Sequence, residues 1–275
     1  MQYHAKLPDQ NHNVSHQNPL REFLTLLAGI IAFVLLVYWV LGFFVDLAVD
    51  YISPEMEMAI YESISNDVVP VEPPPFIDQT QREIQTLLSA LSTCMDVGFP
   101  INLTYRQSDT PNAFAAPGGK MVVLSGLLKH VKSENGLAFV LAHELGHFKN
   151  RDHLRGMGRS VVLVALSFLA TGNVYLSKLL MPVNAFQSAQ FSQGRESDAD
   201  AVALAILQCH YGHVAGTTEF FESMVKPDKD LPLTHYFSTH PEAQARIESI
   251  DKISQDKGYI KADTTPAFWL TMPLN

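Results

Sequence analysis

The 275-residue sequence has little positive charge, since 19 Lys and Arg stand against 28 Asp and Glu and the formal net charge is −9. Nucleic-acid binding needs a basic face, so this class of function is disfavoured. Cysteine is also scarce, and Cys94 and Cys209 form no C-x-x-C pair that could hold zinc. Outside the cytoplasm the two could form one disulfide, and two buried free thiols are the alternative. Internal repeats and long runs of charge are absent as well.

Charge is missing altogether between Phe23 and Val45, a stretch rich in Leu, Ile, Val and Phe. At 1.5 Å per residue it covers about 35 Å, which is enough to span a bilayer. It is too long for the apolar region of a cleaved signal peptide, and no cleavage site made of small residues closes it. We therefore expect an uncleaved transmembrane anchor at 22–46, behind a disordered tail at 1–21.

The charges that flank the anchor predict its orientation. Lys6 and Arg21 precede it, whereas Asp46 and Asp50 follow it. The positive-inside rule places the N-terminus in the cytoplasm. We thus expect a single-pass protein of a bacterial inner membrane, with its main domain on the periplasmic side. Residues 47–78 are acidic and contain Val71-Glu72-Pro73-Pro74-Pro75, which indicates a stiff linker. The main domain is expected at 79–275.

The sequence HELGH at residues 143–147 indicates a metal site. On a helix, His143 and His147 lie at i and i+4 on one face and can bind one zinc ion, with Glu144 beside the open position. Zinc lowers the pKa of a bound water, and a carboxylate can take its proton as it attacks a carbonyl. Ser133 is a plausible N-cap for this helix, and Asn150-Arg151-Asp152 reads as its end.

A catalytic zinc usually has three protein ligands, so a third is needed. Glu196 and Asp200 are four residues apart and share a face if this segment is helical. Glu196 can then bind the metal, while Asp200 accepts a hydrogen bond from the far nitrogen of a ligating His. A solvated acidic helix start is the alternative interpretation of the same pattern.

The segments HELGHFKNRDH and RESDADAVAL together resemble the HtpX-like and CaaX-prenyl-protease-like zinc endopeptidases, which are gluzincins of metallopeptidase family 48. Three further segments agree with this resemblance in the same order along the chain. They are residues 112–120, residues 121–128, and Thr239-His240-Pro241 with Arg246-Ile247.

The resemblance implies a role for each matching residue. One zinc ion per chain would be held by His143, His147 and Glu196, with Glu144 as general base and Asp200 orienting a ligand. An edge strand would bind substrate, formed by Ala113, Phe114, Ala115 and Ala116, because an unpaired edge can take up an extended chain through main-chain hydrogen bonds. His240 would stabilise the oxyanion or bind zinc in a latent closed state. An ordinary histidine before a helix that starts at Pro241 is an equal alternative.

A second apolar stretch, Val161 to Ser177, lies between the two parts of the metal site. A single membrane crossing here would put His147 and Glu196 on opposite sides of the bilayer. Two crossings need about forty residues, and polar residues interrupt the run. We therefore interpret it as a buried or membrane-apposed helical flap over the site and not as a span.

These observations predict an α+β fold: a mainly helical zincin-type metalloprotease domain with a small sheet, behind one N-terminal transmembrane helix. The expected function is that of a membrane-anchored zinc-dependent endopeptidase acting on misfolded, membrane or envelope proteins. Its expected partners are an extended protein or peptide substrate and the lipid bilayer, with no nucleic acid. The alternative is a chaperone-like assembly or quality-control factor that holds zinc and has little or no peptidase activity.

Overall fold

The computed structural model describes residues 18–59, 79–98, 100–172, 193–225 and 243–271, and within these ranges the chain is mostly helical with one small sheet. The α-helices with both ends in these ranges are α1 (Pro19–Val49), α2 (Gln79–Ser92), α3 (Glu134–Asn150), α4 (Asp152–Thr171), α5 (Gln193–Tyr211), α6 (Glu219–Val225) and α7 (Ala243–Asp256). Two short 3₁₀ helices are also present, Ser125–Lys129 before α3 and Phe268–Thr271 after α7. The predicted balance of helix, small sheet and N-terminal apolar helix is confirmed.

Helix α1 is the predicted anchor, and it extends slightly beyond the predicted limits. Its N-cap is Asn18, whose side chain accepts a hydrogen bond from the Leu20 backbone N–H at 3.2 Å, and the helix itself has 31 residues. Most of its large apolar side chains are exposed. By length and composition alone, both α1 and α4 could cross a membrane.

Helix α4 contains the described part of the second apolar stretch, and it begins earlier than that stretch, at Asp152. It packs beside α1, and four of its large apolar side chains remain exposed: Val161, Leu163, Phe168 and Leu169. This part of the stretch is therefore not buried in the domain core. Residues 173–177 lie outside the described ranges.

The sheet consists of β1 (Asn102–Arg106), β2 (Ala113–Ala116) and β3 (Lys120–Leu124), in the order β1-β3-β2. The central strand β3 pairs in parallel with β1 and antiparallel with β2. In this sheet β2 is thus an edge strand. Helix α3 packs against β2, and this brings the edge close to the HELGH segment.

The core is built around α3, which is buried along almost its whole length. Helices α2 and α5 pack against it and contribute apolar side chains such as Leu88 and Leu204. Cys94, just after α2, forms a disulfide with Cys209 near the end of α5, with their Cα atoms 5.9 Å apart. Of the two alternatives for the cysteines, the structure therefore shows the disulfide.

The segment that follows α1 contacts the rest of the described chain directly. Glu57, within the range predicted as linker, is fully buried. Its Oε1 accepts a hydrogen bond from the Gly118 backbone N–H at 2.9 Å and lies 2.9 Å from His153 Nε2. Gly118 belongs to the turn between β2 and β3 and has a φ of 76°, a conformation that favours glycine. Glu57 thus joins this turn to the start of α4.

Candidate metal centre

Helix α3 has the boundaries that its sequence predicts. Ser133 is the N-cap, and its Oγ accepts a hydrogen bond from the Gly136 backbone N–H at 3.0 Å. Arg151 ends the helix in the left-handed conformation with a φ of 54°. His143 and His147 therefore lie one turn apart on the same face, with their Nε2 atoms 3.0 Å apart.

Gly136 lowers the helix propensity of α3, and its neighbour Glu219 explains why it is there. A Cβ at position 136 would lie 2.4 Å from Glu219 Oε2. That carboxylate accepts hydrogen bonds from the Ser133 backbone N–H at 3.0 Å and from Ser133 Oγ at 2.8 Å. The glycine leaves room for a carboxylate that fixes the first turn of the helix.

A second glycine lets α5 approach the histidines. A Cβ at Gly146, inside HELGH, would lie 2.9 Å from the Ala199 Cα, so the two helices are almost in backbone contact at this point. Glu196 and Asp200 stand on the side of α5 that faces α3, and both are buried. The close approach brings a carboxylate next to the histidine pair.

Three side chains meet at this point in an arrangement that fits a metal ion. His143 Nε2 lies 3.5 Å from Glu196 Oε2, and His147 Nε2 lies 3.4 Å from Glu196 Oε1. In a tetrahedral zinc site with bonds of about 2.0–2.1 Å, neighbouring ligand atoms are about 3.3 Å apart. All three residues are buried, and among the described residues they form a cluster suited to hold a metal. Two nitrogens and one carboxylate are also the donor types of a catalytic zinc site.

Each histidine is oriented by a carboxylate on its far side. His143 Nδ1 lies 3.0 Å from Asp200 Oδ1, and His147 Nδ1 lies 2.9 Å from Asp152 Oδ2. An Nδ1–H that donates to a carboxylate leaves Nε2 as the free acceptor atom for the metal, and it makes that atom more basic.

Arg246, on α7, completes the polar network. Its guanidinium bridges two carboxylates, with Nη1 at 2.6 Å from Glu196 Oε2 and Nη2 at 2.5 Å from Asp200 Oδ1. The guanidinium also lies over the ring of Phe221, with Cζ 4.4 Å from the ring centroid. Burial raises the pKa of Asp200, but the charge of Arg246 and the contact with His143 outweigh it and hold the pKa below its usual value. The lowered pKa favours the carboxylate form of Asp200, which can accept a hydrogen bond from His143 Nδ1–H.

The buried network contains several carboxylates, and their negative charge favours the binding of a cation. Four carboxylates are buried around the histidine pair: Glu144, Asp152, Glu196 and Asp200. Among the described residues, the buried Arg246 and the partly buried Arg195 bring positive charge into contact with this group. Burial lowers the pKa of His147, but hydrogen bonds with Asp152 and Glu196 and the charge of Glu144 outweigh it and raise the pKa to about 9. The surroundings of the His147 ring thus favour positive charge, which a divalent metal ion would supply.

Glu144 links this centre to the edge of the sheet. Its Oε2 accepts a hydrogen bond from the Ala115 backbone N–H at 3.0 Å. In an antiparallel pair, consecutive residues direct their backbone groups alternately toward and away from the partner strand. Leu124 N donates to Asn112 O at 3.0 Å, so position 112 faces β3. It follows that Ala113 and Ala115 direct their backbone groups away from β3, on the side of Glu144.

Comparison with known proteins agrees with the geometry. The family model described as Peptidase family M48 matches residues 78–254, more than half of the chain. The chain belongs to peptidase family M48. This is a family of metalloendopeptidases, and the residues of the metal centre described above fall within the matched range.

Individual members of the M48 family show how far the similarity extends. The chain is 32% identical over 170 residues to the mitochondrial metalloendopeptidase OMA1 of Schizosaccharomyces pombe. The matched region covers 60% of this chain and 50% of that protein. It is 29% identical over 167 residues to metalloprotease YcaL of Escherichia coli, and this match covers 58% of this chain and 65% of YcaL. A protease HtpX homolog of Persephonella marina is 24% identical over 272 residues, covering 80% and 90%. The chain thus spans about half of the length of the first of these relatives.

The structure brings together most of the residues expected for an M48 site. His143, His147, Glu196, Asp200 and Glu144 meet as described, and β2 lies beside them. His240 lies outside the described residues, so its role stays a prediction. The sequence did not reveal the contacts of Asp152 and Arg246, although both residues stand in segments that resemble the family.

Proposed function

We propose that this chain is a membrane-anchored, zinc-dependent endopeptidase. The observation that carries the proposal is the contact of Glu144 with both parts of the site. It stands on α3 next to the metal-ligand pair, and its carboxylate contacts the free edge of β2. His143, His147 and Glu196 would hold the ion. When bound, zinc supplies a Lewis acid that polarises a peptide carbonyl and acidifies water.

The protein side chains then perform the proton transfers. Glu144 accepts the proton of the attacking water and later donates it to the leaving amine. Asp152 and Asp200 keep the two imidazoles in the orientation that presents Nε2 to the ion. Arg246 neutralises part of the negative charge that this network concentrates in the core.

The substrate would bind as an added strand along β2. The backbone groups of Ala113 and Ala115 are directed to the free side, whereas those of Phe114 and Ala116 are directed to β3. Main-chain pairing selects an extended chain and reads little sequence. This supports unfolded or misfolded proteins, including membrane and envelope proteins, as substrates.

A location at the membrane surface is supported by α1 and α4. Helix α1 would span the bilayer, and α4 runs beside it with exposed apolar side chains. Glu196 lies next to His147, so the chain enters and leaves the intervening segment on one side of the membrane. We therefore propose that α4 is membrane-apposed. The Cys94–Cys209 disulfide supports an oxidising compartment for the domain, such as the periplasm of a bacterium.

A zinc-holding assembly or quality-control factor is the second candidate, and the burial of the site favours it. The exposed fractions of His143, Glu144 and Glu196 are 2% each. A peptide needs access to these groups, so a site that stays closed would hold a metal without turnover.

The test compares the full-length chain with its Glu144→Gln variant in detergent. We expect each to bind one zinc ion, and only the wild-type chain to cleave an unfolded protein such as casein. Undiminished cleavage by the variant would remove Glu144 as the base. One bound zinc with no cleavage by the wild-type chain would favour the second candidate, and a wild-type chain without zinc would refute both.

A further inference from the structure

We propose that the membrane anchor helps to position the metal ligand His147, with Asp46 at the end of α1 acting through Arg195 and Asp152. This inference rests on the proposed metal site. We call these four residues, Asp46, Arg195, Asp152 and His147, the anchor relay. The relay makes Asp46 and Arg195 positioning residues, since neither touches the ion or the substrate.

Three contacts form the relay. Asp46 Oδ1 lies 3.3 Å from Arg195 Nη2, and Arg195 Nε lies 3.3 Å from Asp152 Oδ1. The other oxygen of the same carboxylate, Asp152 Oδ2, lies 2.9 Å from His147 Nδ1. A continuous chain of polar contacts therefore runs from the transmembrane helix to the imidazole.

The central arginine suits this position because a guanidinium presents several donors in a rigid plane. Arg195 uses Nε for one carboxylate and Nη2 for the other, so the two carboxylates fix its orientation. Asp152 is buried, and a buried polar group needs charged or hydrogen-bonding partners in place of water. Arg195 supplies such a partner on the side of Asp152 that His147 does not occupy.

Asp46 is itself held in place by helix α4. Its Oδ2 lies 2.5 Å from Arg159 Nη2, and its backbone carbonyl accepts a hydrogen bond from Arg155 Nη1 at 2.5 Å. At Gly158 the two helices approach so closely that an added Cβ would lie 2.4 Å from Val45 Cγ1. The end of the anchor thus has a fixed position against α4, and Asp46 can orient Arg195.

The relay predicts that changes at the anchor alter metal affinity although no anchor residue is a ligand. Partners of a ligating histidine typically account for about 10–100-fold in metal affinity. Asp46 lies two contacts further away, so we expect a smaller effect, on the order of threefold to tenfold.

The experiment measures zinc affinity of the full-length chain in detergent, by competition with a chelator of known affinity. Asp46→Asn removes the charge that holds Arg195. Asp50→Asn is the matched control, because Asp50 lies on the same anchor and forms a 2.5 Å ion pair with Arg155 of α4. We expect weaker zinc binding for Asp46→Asn, near-wild-type binding for Asp50→Asn, and recovery in Asp46→Glu.

Further variants separate positioning from general damage to the α1–α4 contact. Arg159→Met removes an ion pair that holds Asp46 against α4 but keeps the contact of Asp46 with Arg195, so it should weaken zinc binding less than Asp46→Asn. Arg195→Lys keeps the charge but loses the planar donors, so it should also weaken zinc binding. It provides an independent test of the relay if Asp46→Asn does not fold. The melting temperature of the zinc-free protein should not follow the loss of affinity across the set.

The outcomes distinguish the two proposals. If the wild-type chain binds no zinc, the proposed function fails. If it binds zinc but Asp46→Asn and Arg195→Lys bind as tightly as Asp50→Asn, the anchor relay is wrong and the metal site stands.

Discussion

Ala115 donates its backbone N–H to Glu144 Oε2 across 3.0 Å, and this bond joins the free edge of the sheet to the carboxylate of the HELGH motif. The edge strand and the proposed general base are therefore held in register by the fold. A chain that pairs with β2 would run directly past the carboxylate.

The alternation along β2 predicts which substrate amides matter. Because Ala113 and Ala115 direct their backbone groups away from β3, only alternate residues of a bound strand can pair with them. A substrate carbonyl that pairs with the Ala115 N–H would displace Glu144 Oε2 from it. N-methylation at successive positions of a peptide substrate should therefore raise KM at every second position. Steady-state kinetics on such a peptide series would test this. A uniform effect at all positions would contradict binding by strand addition.

Asp200→Asn should weaken zinc binding about 10–100-fold, because the amide cannot replace the carboxylate that orients His143. Chelator competition gives the affinity. The matched control is Asp198→Asn on the same helix, since Asp198 is exposed. Equal affinities for the two variants would show that Asp200 does not support the ligand.

Arg246→Met should destabilise the domain by about 3–5 kcal/mol, because it removes the positive charge that bridges the buried carboxylates of Asp200 and Glu196. Urea unfolding in detergent measures the change. Lys252→Met, at an exposed position of the same helix, should have little effect. A loss in Arg246→Met no larger than in this control would mean that other groups neutralise the network.

The raised pKa of His147 predicts a pH dependence that zinc should reverse. With the folded pKa at about 9 and the ordinary value at 6.5, protonation of the zinc-free protein contributes about 3 kcal/mol. This contribution is fully present below pH 6.5 and is lost as the pH rises through about 9. Zinc binding needs the unprotonated ring, so zinc affinity should instead increase over the same range.

Unfolding with a chelator present, at several pH values between 6 and 10, would measure the zinc-free trend. His147→Gln should remove it, whereas His210→Gln, at an exposed position, should keep it. A zinc-free stability that rises between pH 6.5 and 9 in the wild-type chain would contradict the raised pKa.

The sequence predicted best where local periodicity decides the geometry. The spacing of His143 and His147 within a capped helix is enough to place both imidazoles on one face. The spacing of Glu196 and Asp200 predicted their shared face in the same way, although their approach to α3 depends on Gly146 and on tertiary packing.

The parts that the sequence could not predict depend on contacts between distant segments. Arg246 is 46 residues from Asp200, and no local pattern shows that the two meet. Asp152 reads as a helix end, and its contact with His147 depends on the sharp change of direction at Arg151. Glu57 lies in an acidic stretch that favours a solvated linker, yet the fold buries it against Gly118.

The Cys94–Cys209 disulfide has a consequence for the proposed endopeptidase if one copy cuts another. It closes a covalent ring across a sequence separation of 115 residues, and His143, His147 and Glu196 all lie inside that ring. A single peptide-bond cut anywhere within the ring leaves both pieces attached to each other. A nicked molecule would thus keep α3 and α5 linked, and on a denaturing gel it would migrate as one species until the disulfide is reduced.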